Sequence, residues 1–313
     1  MLAKQKVLLV KEETTYGTDA SPTPANNAID AKNIKINYSG EVLERELQRS
    51  SLSPVATKLG KRFIEVRFEV ELKGSGAAGT APQIGDLLEA CGFSETVNAD
   101  TNVIYTPAST GHKSVTIYIY EIVDASNAKL HKITGARGNC NFIFEAGQIA
   151  RIEFTFQGLY QAPIDTTPPS GVSYEATKPP IVESSNFTLN SVTSLVVQSL
   201  NIDMANEISQ REDINSAAGI KEFTIVGRKP NGSFNPEAVL KATYDWYSDW
   251  VNAAERQLSL VVGSAAGNKI TITCPKVIID AINEGERDGI RTEDIPFRLA
   301  MNSGDDEISI EFA

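Results

Sequence analysis

The chain has 313 residues, of which 41% are hydrophobic, 22% charged and 7% aromatic, with 22 glycines and 14 prolines. This balance excludes disorder over most of the length and, at about 100–200 residues per domain, allows one large domain or two medium ones. The net charge of −11 argues against a protein that grips nucleic acid, because such binding needs Lys and Arg to displace counterions from phosphates; contact by repulsion stays open.

The charge is uneven: residues 1–160 hold 17 basic and 18 acidic groups, residues 161–313 hold 12 and 22. The two halves therefore differ in surface even if they share a fold. Apolar runs are short, Val7-Leu8-Leu9-Val10 being closed by Lys11, Glu12 and Glu13, so neither a membrane span nor a secretory signal is expected. Cys91, Cys140 and Cys274 lie far apart without C-x-x-C spacing and read as buried thiols of a reducing cytosol.

In chain order, residues 1–30 are polar and turn-rich and read as an N-terminal arm. Residues 34–38 and 62–72 follow as strands around a charged loop; Ile64, Val66, Phe68, Val70 and Leu72 alternate with other residues, which is the period of a half-buried strand. Ile84, Leu87, Leu88 and Cys91 are spaced three and four apart and predict one helix closed by Gly92. Alternation returns at Val115, Ile117 and Ile119, then at Ile152, Phe154 and Phe156. Five prolines between residues 162 and 180 mark an extended connection.

Beyond it the order repeats: strands at 200–204 and 223–226, expected to pair with each other, then a helix with Pro236 near its start and Leu240, Tyr244, Tyr247 and Val251 on one face. Strands follow at 258–262, 270–273, 277–282 and 308–312. Details match as well, since Asn127-Ala128-Lys129 and Gly267-Asn268-Lys269 occupy the same turn of each half. The reading is a tandem duplication, with an arm and first domain at 1–162, a linker at 163–182 and a second domain at 183–313; two unrelated α+β domains are the alternative.

The search for chemistry returns little. His112 and His131 are nineteen positions apart and match no metal spacing. Gly74-Ser75-Gly76-Ala77-Ala78-Gly79 satisfies G-x-G-x-x-G, but Thr80-Ala81-Pro82 separates it from the helix, so no amide cradle for a pyrophosphate is expected; a flexible connection is the better reading. The acidic groups at 280–285 and 305–307 lack the spacing of a calcium loop and read as a solvated face. No catalytic, cofactor or metal residue is assigned, and an enzyme is not expected.

Two stretches carry more information. One is Lys11-Glu12-Glu13-Thr14-Thr15-Tyr16-Gly17-Thr18-Asp19, followed by Pro22 and Asn27-Ala28-Ile29. The other is Gly135-Ala136-Arg137-Gly138-Asn139, a strand at 140–145, a turn at Ala146-Gly147 and a strand at 149–157 ending in Gly158-Leu159-Tyr160. Together they resemble the major tail tube proteins of phages with long non-contractile tails, well in the first half and mainly through the repeated order in the second. The resemblance implies a mainly β (α+β) fold of two tandem antiparallel β-sandwich units, each with a flanking helix, in a structural virion protein that stacks as rings into a tail tube for dsDNA ejection.

Six units normally surround the bore of such a tube, so a two-unit chain implies a homotrimeric ring of pseudo-sixfold symmetry. Partners implied by the resemblance are further copies, tape measure protein, tail terminator and tail tip proteins, with dsDNA only in transit and no membrane. The place implied is the virion tail, assembled in the host cytoplasm. Glu65, Arg67, Glu69 and Glu71, on the face of their strand opposite the apolar one, and Asp203 in the second half, are expected to line a carboxylate-rich bore. Mixed charges in the two long loops, Glu44, Arg45, Glu46 and Arg49 with Arg211, Glu212 and Asp213, suit docking between rings. A carbohydrate-binding or adhesin-type β-sandwich using Trp246 and Trp250 is the alternative function.

Overall fold

The computed structural model describes residues 5–313 and is mostly β. The first half contributes β1 (Lys6–Glu12), β2 (Ala28–Ile29), β3 (Ala31–Leu43), β4 (Lys58–Glu71), α1 (Gly85–Ala90), β5 (Phe93–Asn98), β6 (Asn102–Pro107), β7 (Val115–Ile122), β8 (Ala128–Glu145), β9 (Arg151–Leu159) and β10 (Ile164–Thr166). The second contributes β11 (Asn186–Leu189), β12 (Val197–Asp203), β13 (Asn206–Glu212), β14 (Ile220–Arg228), β15 (Asn231–Pro236), α2 (Trp246–Val251), β16 (Arg256–Val262), β17 (Ile270–Ile279), β18 (Asn283–Arg287), β19 (Ile290–Leu299) and β20 (Ser309–Phe312).

Every pairing between these strands is antiparallel, and two strands bend so that each serves two layers. The start of β8 pairs with β7 and β10, and its end with β9 and β12. The start of β17 likewise pairs with β16 and β20, and its end with β19. One long sheet results, β3-β4-β9-β8-β12-β15-β19-β17, running through both halves. Shorter layers, β2-β1-β7-β8 with β10 and β11-β16-β17-β20-β6-β5, carry the remaining strands.

The alternating apolar residues of β4 and β9 (Ile64, Val66, Phe68, Phe154 and Phe156) lie at 0–2% exposure against Ile117, Ile119 and Ile133, and the same core continues into Phe234, Leu258, Phe297 and Ile310. Period two decides which face is buried, as it must when a one-residue slip would turn every apolar side chain outward. The pairing order is repeated along the chain: β1, β3, β4, α1, β7, β8, β9 and β10 find their counterparts in β11, β12, β15, α2, β16, β17, β19 and β20.

Several expectations are corrected here. The arm contributes a strand to the first half: β1 is paired along its length with β7, and Leu8, Leu9 and Val10 are buried, the short apolar run outweighing the polar surroundings. Met1–Lys4 of that stretch lie outside the described residues. Residues 222–227 do not pair with 200–204; β12 pairs with β15, and β14 with β13. The chain turns off the long sheet after Met204, at Ala205 with φ 46°, and returns at Pro230, whose ring supplies no N–H to a ladder.

The second helix covers only Trp246–Val251, while Pro236 ends β15. Residues 237–238 are held by backbone bonds to Val196 and Arg291, and the helix starts where the Asp245 carboxylate accepts the Ser248 N–H at 3.0 Å. The glycine-rich stretch at 74–79 is packed rather than free: the Gly76 N–H bonds Gly267 O at 3.0 Å, and a Cβ on Gly74 would fall 2.0 Å from that oxygen.

Candidate assembly surface

Since one face of the long sheet covers the core, its odd-numbered β4 residues stand on the other. Glu65, Arg67, Glu69 and Glu71 are all on this polar face, as read from the sequence, and Asp203 joins them across three strands. The register aligns one row of opposed residues: Lys32, Glu69, Glu153, Asn141, Asp203, Asn231, Arg298 and Ile278. Asp203 is not the topological counterpart of the β4 carboxylates, because the strand equivalent to β4 is β15, which offers Asn231 and Ser233 instead.

The carboxylate surplus of β4 is partly offset by Arg67 on the same strand and by cations on β3 and β9. Lys32 meets Glu71 at 2.6 Å, Arg67 meets Glu65 at 3.0 Å, and Arg151 lies 2.9 Å from Glu145 and 3.9 Å from Glu69. Side-chain amides take further oxygens, Asn33 on Glu69 at 2.6 Å and Asn139 on Asp203 at 2.7 Å. The first half thus presents paired charges and the second a mostly amide and hydroxyl surface: Ser199, Asn201, Asn231 and Ser233, with Asp203, Asp280 and Arg298. A single strand cannot disclose its cross-strand partners, so the pairing of these carboxylates with Lys32 and Arg151 could not be read from β4 alone.

Two hairpins leave the sheet. In the first, residues 44–57 form no regular element, and Glu44, Arg45, Glu46 and Arg49 are exposed. In the second, Arg211 pairs with Glu222 across the hairpin, Glu212 accepts from Lys61 at 2.7 Å, and Asp213 accepts the Asn215 N–H at 2.9 Å. The Lys61–Glu212 bond sets the two hairpins side by side, so both sets of mixed charge occupy one end of the sheet.

The second hairpin is firmly seated. Arg137 donates to Phe223 O at 2.8 Å, His112 O at 2.8 Å and Lys113 O at 3.1 Å, while its guanidinium lies 4.9 Å from the Tyr16 ring centre. The Tyr16 hydroxyl donates to Gly135 O and accepts the Phe223 N–H, and burial pushes its pKa up to about 12. Nearby Glu13, 5% exposed, accepts from Gly17 N, Gly135 N, Ser114 Oγ and Thr116 Oγ1 at 2.7–2.8 Å, so both of its buried oxygens are hydrogen-bonded. The two stretches that carried the resemblance, 11–19 and 135–139, meet here.

Other groups have structural partners. His131 bonds Tyr38 Oη and Glu121, His112 bonds Ala108 O, and the three cysteines are buried and free. Glu12, Asp86 and Glu89 bring carboxylate oxygens within 4.8 Å of one another beside α1; burial first, then Glu12 and Glu95, push Glu89 up to about 7. Trp246 is 1% exposed against Phe234 and Tyr244, which removes it from any sugar platform, and Trp250 Nε1 donates to Asp280 O. Among the described residues no helix is long and apolar enough to cross a membrane.

The long sheet thus has a polar face with paired charges and, among the described residues, an edge at β3 and another at the end of β17. No curated protein matches the chain. A family model described as phage tail tube protein matches residues 3–299, nearly the whole length, and the chain belongs to that family.

Proposed function

We propose that three copies close into a ring of pseudo-sixfold symmetry, and that stacked rings form the tube through which dsDNA leaves the virion. The observation that carries this reading is the junction inside the chain, where β12 of the second half pairs with β8 of the first from Ser199↔Glu145 to Asp203↔Asn141. The repeated pairing order supports two tail-tube units, one on each side of the 163–182 connection. At the ends of the long sheet, β3 pairs only with β4, and Ile278 and Ile279 of β17 only with β19, among the described residues. Unpaired edges invite pairing with another chain, and closure into a barrel removes them.

In this arrangement the polar face lines the bore, with Glu65, Arg67, Glu69, Glu71 and Asp203 toward DNA. Carboxylates outnumber cations on this face, and most of the cations are already paired with them, so phosphates meet little counterion release and little attraction. The tips of the two hairpins stack ring on ring. Tape measure, terminator and tip proteins complete the tail, which is put together in the host cytoplasm, and the protein catalyses nothing. Electron microscopy of concentrated purified protein tests the reading: tubes or stacked rings are expected, and monodisperse monomers with affinity for glycans would overturn it in favour of a carbohydrate-binding sandwich.

A further inference from the structure

The seat of the second hairpin has an unoccupied counterpart. Each hairpin passes a shift of register where it leaves the sheet, between Gly40 and Val42 in the first and between Glu207 and Ile208 in the second. Just beyond the shift each sets two aliphatic residues opposite each other, Val42↔Leu59 and Ile208↔Ile225. Ile225 is covered: it is 9% exposed, and its Cδ1 lies 3.1 Å from where a Cβ on Gly92 would stand. Val42 and Leu59 are bare, at 59% and 57% exposure.

The surface that covers Ile225 is the turn after α1, and α2 ends in the same turn. Both helices have six residues; both close on a residue of positive φ, Gly92 at 86° and Ala253 at 46°. In both, the N–H of that residue returns to the carbonyl three positions back, Glu89 at 3.0 Å and Trp250 at 3.1 Å. Beside the second turn, Val251 is 73% exposed, and the Lys276–Glu255 ion pair at 2.8 Å ties the turn to the bend of β17. That bend corresponds to the bend of β8 on which the second hairpin rests.

We infer that the interface between copies repeats the junction between halves: the Val42–Leu59 pair of one copy packs on the turn after α2, around Val251 and Ala253, of the next. This rests on the ring reading above, in which β3 of one copy lies beside β17 of another. Two apolar surfaces on opposite ends of one chain thereby cover each other, and a contact of this head-to-tail kind must close into a ring or run on as a filament. The base of the first hairpin acts within the ring, leaving its charged tip for the ring above.

The test uses the full chain carrying the photoreactive residue p-benzoylphenylalanine at Leu59, assembled from an equal mixture of ¹⁴N- and ¹⁵N-labelled copies, irradiated and digested. The expected product joins the Leu59 peptide to the peptide containing residues 250–256, with heavy–light pairs about as frequent as like pairs together. Ala253→Lys should abolish that product and leave the unfolding midpoint of the protomer unchanged. If micrographs show tubes but the cross-link falls within one copy or elsewhere, the docking is wrong and the tube reading stands. If no ring forms under any condition, both fall.

Discussion

The β3–β4 and β13–β14 hairpins are built alike and end differently. The one formed by β13 and β14 folds down onto the first half, burying Phe223 completely, with Phe223 O accepting from Arg137 and Phe223 N–H donating to the Tyr16 hydroxyl. The one formed by β3 and β4 stands out with Val42, Leu43, Leu47, Leu52 and Leu59 all at least 45% exposed. Apolar side chains of that number on one projecting segment are a liability in a lone molecule and an asset in an assembly. On the ring reading, the seated hairpin is the pattern for how the projecting one meets a neighbouring copy.

The largest expected effect separates tip from base. Deleting residues 46–56 from the first hairpin should leave folded protomers that form no tubes at concentrations where the intact chain does; normal tubes would show that the tip has no part in stacking. Next comes the seat of the second hairpin. Phe223→Ala should cost about 3–5 kcal/mol in denaturant unfolding, because a fully buried ring against Phe63 is replaced by a void. Leu59→Ala in the isolated protomer should stay within about 0.5 kcal/mol, as for an exposed site. Equal losses at the two positions would erase the distinction between the hairpins.

The two parts of the polar face offer a third comparison. Replacing Glu65, Glu69 and Glu71 with Lys adds positive charge to this face but also breaks the pairs with Arg67, Arg151 and Lys32. Asn231→Lys with Ser233→Lys adds charge without that damage, since both residues are exposed. Both sets should assemble and slow DNA ejection, by on the order of tenfold at low salt and less as screening grows. Unchanged ejection from fully assembled mutant tails would turn this face away from DNA.

The smallest effect sets α1 against α2. Glu89 faces Glu12, Asp86 and Glu95, with Lys113 and Lys11 as the nearby cations, and holds its proton up to about pH 7. A carboxyl whose folded pKa is raised stabilises the fold fully below its ordinary value near 4.5, and that contribution is lost as pH rises through about 7. Allowing for its half-exposed position, Glu89→Gln should raise the melting temperature at pH 8 by about 2 °C and leave it unchanged at pH 5. In α2 the corresponding ion pair is complete, Asp249 receiving Arg256 at 3.0 and 2.5 Å, so a rise there would not be expected. A shift of opposite sign for Glu89→Gln would mean that its charge supports the fold.

Much of this fold is legible in sequence because alternation along β4, β7 and β9 and the three-and-four spacing of α1 follow from burial on one face. The repeated order could be read for the same reason. The β18–β19 hairpin was missed although Asp288-Gly289, with φ of 50° and 81°, is a strong two-residue turn signal; the acidic residues around it hid the strands. The detachment of β13 and β14 was beyond reach, since only the seat provided by Tyr16 and Arg137, some 207 and 86 positions from Phe223, decides it. Of the candidate surface, the residues of β4 could be placed on their face, but the cations opposing them could not, because register is set by the whole sheet.

The central claim, that one chain carries two of the six units around a bore, is tested most directly by the mass of a single ring released from tubes and measured by native mass spectrometry. The account predicts three times the 33.9 kDa of the chain. A ring of six chains would contradict it, showing that the repeat within the chain does not substitute for a second copy.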